Sequence, residues 1–135
     1  MEAAILVVED NRDNMELMRY LLTAYGYTPM LARGGADAVR SARRRAPDLI
    51  LMDLQMPEMD GHEATAAIRS EPGLGECTIV AVTAFAMVGD RERILAAGFD
   101  GYISKPIAPE SFVAEVERFL APELHACADA TPPQP

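Results

Sequence analysis

The stretch Leu49-Ile-Leu-Met-Asp53-Leu-Gln-Met-Pro57-Glu-Met-Asp-Gly61 decides how the rest of the chain is read. Its first four side chains are large and apolar without alternation, which suits a strand buried on both faces of a parallel sheet. The run stops at a carboxylate, Asp53, and Pro57 and Gly61 punctuate a loop before a helical pattern resumes. Working outward, residues 5–8, 29–32, 79–82 and 101–103 give four more short strands. Pro29 suits an edge or the first residue of its strand.

Amphipathic helices follow each strand. In the first, Asp13-x-x-Glu16 has the form of a capping box. Met15, Met18, Leu22 and Tyr25 then recur every three to four residues, and Gly26 supplies a left-handed stop. The second helix covers 35–46, with Ala38, Val39 and Ala42 inward and Pro47 ending it. The third covers 61–70, with Ala64, Ala67 and Ile68 on one face, and the fourth covers 90–97 and stops at Gly98. The fifth has Pro109 in its first turn, ahead of Phe112, Val113, Val116, Phe119 and Leu120. A β-α unit repeated five times predicts a single doubly wound α/β domain, with helices on both faces of a parallel sheet. Residues 1–121 form that domain and 122–135, rich in Pro and Ala, a flexible tail.

Composition bounds the function. The chain has 135 residues, with 12 Lys and Arg against 21 Asp and Glu, a net charge of −9. One domain fits that length, and a TIM barrel of about 250 residues does not. The acidic balance argues against nucleic acid and anionic membranes as partners, since phosphates are held by clustered Lys and Arg. The cluster Arg40, Arg43, Arg44 and Arg45 reads as a solvated helix end that favours the carbonyl pole of its dipole. Cys77 and Cys127 lie far apart with no ligand spacing, so free thiols in a reducing compartment are expected. His62 and His125 have no ligand partners in sequence and read as structural or exposed. The start lacks a basic n-region and a cleavage site. No run of ~20 apolar residues could span a membrane, and a cytoplasmic protein is expected.

Chemistry gathers at the strand ends, beyond which open α/β sheets bind ligands. The first strand ends at Glu9-Asp10, the third at Asp53, the fourth at Thr83 and the fifth at Ser104-Lys105. Three carboxylates in one cleft repel one another unless a cation intervenes. A hard divalent ion with oxygen ligands relieves this, and Mg2+ keeps waters and accepts substrate phosphate. Asp53 is then a nucleophile toward phosphorus. Mg2+, the Lys105 ammonium and the Thr83 hydroxyl offset charge on the transferring oxygens.

Val7-Val-Glu-Asp10, the stretch from Leu51 to Gly61, Val82-Thr-Ala84 and Tyr102-Ile-Ser-Lys-Pro106 together resemble the receiver domain of bacterial response regulators, the CheY-like fold. The resemblance covers about residues 4–121. It implies a flavodoxin-like sheet of order 2-1-3-4-5 and a cis Lys105–Pro106 bond. It implies that Asp53 accepts a phosphoryl group from a histidine kinase or a histidine phosphotransfer protein. Asp10, Asp53 and the Gln55 carbonyl would hold Mg2+, or Mn2+ in its place, with Glu9 acting through water. Thr83, Lys105 and the Ala84 amide would hold phosphoryl oxygens. Thr83 and Tyr102 would form the switch, with a downstream protein partner at the face of the fourth helix, fifth strand and fifth helix. Gln55 and Phe85 flank the site, and the bulk of Phe85 would slow attack by water.

Other readings compete. Met1 and the tail favour an independent signalling protein over the receiver of a hybrid histidine kinase or larger regulator. A phosphorylation-independent scaffold would not need the intact acidic set. A haloacid-dehalogenase-like phosphatase would want a second Asp where Gln55 stands, and no phosphate-binding glycine motif supports a nucleotide or dinucleotide enzyme. In a flavin carrier, Glu9-Asp10 would repel the cofactor phosphate.

Overall fold

A computed structural model describes residues 3–56, 61–84 and 88–125. The elements run β1 (Ile5–Val8), α1 (Arg12–Ala24), β2 (Met30–Ala32), α2 (Gly35–Arg44), β3 (Leu49–Asp53), α3 (Gly61–Arg69), β4 (Thr78–Thr83), α4 (Val88–Ala96), β5 (Gly101–Ser104) and α5 (Phe112–Glu117). A short 3-10 turn, Pro122–Leu124, follows. The strands form one parallel sheet in the order β2-β1-β3-β4-β5, the order the resemblance implies. Pro29 lies just ahead of β2, the three-residue edge strand. The Lys105–Pro106 bond is cis.

Both faces of the sheet are covered, which is why its strands carry no polar alternation. Ile5, Val7, Leu49, Leu51, Val80 and Val82 pack against α1 and α5 through Met18, Leu22, Phe112 and Val116. The intervening Leu6, Val8, Ile50, Met52, Ile79 and Ala81 pack against the other helices through Ala38, Ala42, Ala64, Ile68 and Ile94. Buried Met15, Met18, Met52 and Met56 belong to these two cores.

The helix ends correct two expectations. Asn11, not Asp13, caps α1: its side chain accepts the Asn14 N–H at 2.9 Å, and Glu16 turns away to pair with Arg19. The helix starts at Arg12, so the cap falls at Asn11, two residues earlier than the capping-box spacing suggests. At the other end, Gly26 does adopt a left-handed φ of 94°. Gly26 N–H reaches Thr23 O and Tyr27 N–H reaches Leu22 O, both at 3.0 Å, the paired bonds of a Schellman stop. In α5, Pro109 stands in the turn leading into the helix rather than within it; the Ala108 carbonyl accepts from both Ser111 and Phe112. Beyond α5, His125 Nε2 lies 2.9 Å from Glu117 O and 3.2 Å from Leu120 O, so residues 122–125 lie on that helix end. The rest of the expected tail, including Cys127, falls outside the described residues.

Two contacts hold the loops around the site. At the end of α3, the Arg69 guanidinium donates to Gly75 O at 3.0 Å, Gly98 O at 2.9 Å, the Asp100 carboxylate at 2.9 Å and Cys77 O. It thereby ties α3 to the approaches of β4 and β5. At the start of α3, a Cβ on Gly61 would lie 2.5 Å from the Asp53 carbonyl oxygen and 2.9 Å from Leu54 Cα. Neither backbone atom can swing aside as a flexible side chain would. Gly61→Ala is therefore expected to lower stability by about 1–3 kcal/mol through overpacking, read from urea unfolding. An unchanged midpoint would mean that α3 does not rest on the Asp53–Leu54 backbone.

Candidate functional site

The carboxyl ends of β1, β3, β4 and β5 deliver the polar residues to one place. Among the described residues only Glu9, Asp53, Thr65 and Thr83 are buried polar or charged ones, and three of these four lie here. Glu9 follows β1; its N–H reaches Ala32 O at 3.0 Å on the edge strand, and its carboxylate accepts the Asn11 N–H at 3.3 Å. Asp53 closes β3, and its Oδ1 accepts from the Gln55 N–H at 3.0 Å and from Lys105 Nζ at 3.2 Å. Lys105 follows β5 with its own N–H on Thr83 O at 2.8 Å. Its ammonium also lies 3.1 Å from Glu9 Oε1. Asp10 stands exposed at the rim, and the Glu9, Asp10 and Asp53 carboxylates place oxygens within 4.8 Å of one another.

The convergence expected of Glu9, Asp10, Asp53, Thr83 and Lys105 is thus observed. Ala84 is exposed beside Thr83, and Gln55 is exposed with its amide turned onto Asp53. Tyr102 is half-buried on β5, with the Arg91 guanidinium 5.3 Å above its ring centroid. Phe85 lies outside the described residues. A cleft of about 280 Å³ adjoins Thr83 and Gln55, lined further by Leu54, His62, Arg93 and Ile94. His62 is exposed and sits edge-on to the Phe99 ring. In the arginine cluster, Arg40 pairs with Asp37 and Arg43 with Glu71. Cys77 is free, with its thiol pushed up by burial. Sequence reading missed the Asn11 amide on Glu9, the Arg69 clamp and the Arg91–Tyr102 stack; each joins residues through backbone groups or across a turn and leaves no spacing signature.

Burial and the neighbouring Asp53 carboxylate push the Glu9 carboxyl up to about 7, against the pull of Lys105. Burial would lower the Lys105 ammonium, but its contacts with Glu9 and Asp53 prevail and hold it above the ordinary lysine value. Three carboxylates against one ammonium leave a net charge of two negatives when all are ionised, the amount one divalent cation neutralises. The buried Glu9 Oε1 has the Lys105 ammonium as its ion-pair partner at 3.1 Å, and the donor set of the three carboxylates is all oxygen. Those features fit a hard cation such as Mg2+. No helix among the described residues is long and apolar enough to cross a membrane.

A family model described as "Response regulator receiver domain" matches residues 5–117. The polar-differentiation response regulator DivK of Brucella anthropi is 44% identical over 120 residues, spanning 89% of this chain and 98% of that relative. The chemotaxis protein CheY4 of Vibrio cholerae superposes with a TM-score of 0.83 at 27% identity, over 89% of this chain and 100% of the other. The receiver domain of a sensor histidine kinase from Pseudomonas aeruginosa has a TM-score of 0.79 at 39% identity, over 88% of this chain and 98% of the other. That structure carries a magnesium ion coordinated in its active-site cleft.

The raised Glu9 carboxyl sets a pH dependence. Its folded value, about 7, exceeds the ordinary 4.5, so the folded state holds the extra proton between them. The contribution to stability is present below 4.5 and is lost as pH rises through about 7. The melting temperature in EDTA is expected to fall between pH 5 and pH 8, and Glu9→Gln is expected to flatten that fall. An equal slope in both proteins would contradict it.

Proposed function

From the premise that the chain belongs to the response regulator receiver family of two-component systems, we propose that it is a phospho-receiver whose acceptor is Asp53. It serves signalling and catalyses at most its own phosphorylation and dephosphorylation. The observation that carries this reading is the placement of Asp53 itself. It is buried at the strand end, with one oxygen held by an ammonium and an amide and two further carboxylates beside it.

The donor is a histidine kinase or histidine phosphotransfer protein. An Asp53 oxygen forms a bond to phosphorus as the phosphorus–nitrogen bond of the donor breaks and the imidazole leaves. Asp10, Asp53 and the Gln55 carbonyl would hold Mg2+, with Glu9 acting through water, and the ion would supply positive charge against the transferring oxygens. Lys105 exchanges its bond to Asp53 for one to a phosphoryl oxygen, while the Thr83 hydroxyl and Ala84 amide hold others. Thr83 moves toward the new group and Tyr102 follows, altering the α4–β5–α5 face that a downstream protein reads. That output requires the partner to bind the two states unequally. Residues 1–121 constitute the receiver unit and 122–135 an appended segment. A second reading, the receiver of a hybrid histidine kinase, is favoured by the 39% identity to such a domain.

Intact mass after incubation with acetyl phosphate is expected to show one added phosphoryl group with Mg2+, little without it, and none in Asp53→Asn. Transfer neither from acetyl phosphate nor from a phosphorylated histidine phosphotransfer protein, in folded Mg2+-binding protein, would overturn the reading in favour of a silent scaffold. Phe85→Ala is expected to hasten loss of the group by admitting water; an unchanged rate with Mg2+ binding intact would remove that role.

A further inference from the structure

Among the described side chains, helix α4 buries the fewest of the five helices. Of its described side chains only Ile94 is buried, whereas α1, α2 and α3 each bury four residues and α5 three. Arg93 pairs with Asp90, an ion pair internal to the helix that does not tie it to the sheet. Besides the packing of Ile94 in the core, contacts at Gly98 and Arg91 join α4 to the body. At its carboxyl end, Arg69 holds the Gly98 carbonyl at 2.9 Å. At its middle, the Arg91 guanidinium lies over the Tyr102 ring. The first is a pivot just beyond the last turn. The second joins the middle of α4 to β5, three residues before Lys105.

We propose that Arg91 is a positioning residue for the aromatic switch: stacked on Tyr102, it latches α4 to β5 and keeps the ring in the groove between α4 and α5. That groove, about 520 Å³, is bordered by Arg91, Leu95, Tyr102, Glu115, Arg118 and Phe119. The inference deepens the receiver reading and rests on it. In this proposal the ring leaves the Arg91 guanidinium when it moves toward Thr83, so the stack stabilises the unphosphorylated arrangement over the switched one. A ligand that favours the switched state must work against that difference. By linkage, removing the latch tightens binding of a phosphoryl mimic by the same factor. An exposed cation–π interaction amounts to about a two- to fivefold factor in an equilibrium. Stability alone would not produce this sign, because an interaction weakened equally in both states leaves mimic affinity unchanged.

The test has two arms. In the first, urea unfolding without ligand compares wild type, Arg91→Ala, Tyr102→Leu and the double variant. The unfolding constants are expected to be non-additive by about two- to fivefold; additivity overturns the latch. In the second, beryllofluoride with Mg2+ is titrated into the same proteins and into Arg91→Lys. Arg91→Ala is expected to bind about two- to fivefold more tightly than wild type, Arg91→Lys to stay near wild type, and Arg91→Ala to have no effect in the Tyr102→Leu background. Unchanged or weaker binding by Arg91→Ala, or the same gain in both backgrounds, overturns the proposal. Failure of every protein to bind beryllofluoride would instead overturn the acceptor reading and the switch with it, a result that the unliganded cycle distinguishes from a failed stack.

Discussion

Lys105 places an ammonium 3.1 Å from Glu9 and 3.2 Å from Asp53, two carboxylates that the fold has buried. Neither acid could be buried alone, because an unpaired charge in a protein interior costs several kcal/mol. The three groups come from the ends of β1, β3 and β5, so this cluster fixes the relative positions of strands spread across the sheet. One ammonium stands against two acids, and burial together with the neighbouring Asp53 raises the carboxyl of Glu9 against its pull. With Asp10 at the rim, the pocket is built with too little positive charge. In the proposed mechanism that deficit is what makes the site responsive to a divalent cation and then to a phosphoryl group.

The surrounding framework exists to keep this cluster in place. Apolar side chains fill both faces of the sheet, and of the four buried polar residues described, Glu9, Asp53 and Thr83 stand where strands finish while Thr65 lies in α3. Gly61 lets α3 start directly on the Asp53–Leu54 backbone, and Arg69 fastens the other end of that helix to the approaches of β4 and β5. Rigidity on this side contrasts with α4, which is fastened chiefly by Ile94, the Gly98 carbonyl and the Tyr102 stack. The site thus sits beside a helix of which one described side chain, Ile94, is buried.

Much of this was legible because chemistry and secondary structure coincide in the sequence. Apolar runs without alternation mark the central strands β1, β3 and β4, at whose ends stand Glu9, Asp53 and Thr83, while Lys105 follows the edge strand β5. Helix faces such as Ala38, Val39 and Ala42 follow directly from their spacing. The start of α1 was less legible, since Asn11 and Asp13 can both accept from backbone amides and only the distance from Glu9 to the first turn separates them. The Arg69 clamp was not legible at all, as three of its four acceptors are backbone carbonyls with no side-chain identity. Arg91 and Tyr102 meet across a turn between a helix and a strand, where neither periodicity applies. The Glu9 shift depends on burial, which the sequence only hints at.

The central claim is that the oxygen Lys105 holds belongs to the nucleophile. Borohydride reduces an acyl phosphate on aspartate to homoserine, so peptide mass spectrometry after phosphorylation and reduction identifies the acceptor. The account predicts conversion at Asp53, with Glu9 and Asp10 unmodified. Conversion at Glu9, Asp10 or any other carboxylate, with Asp53 intact, would contradict it.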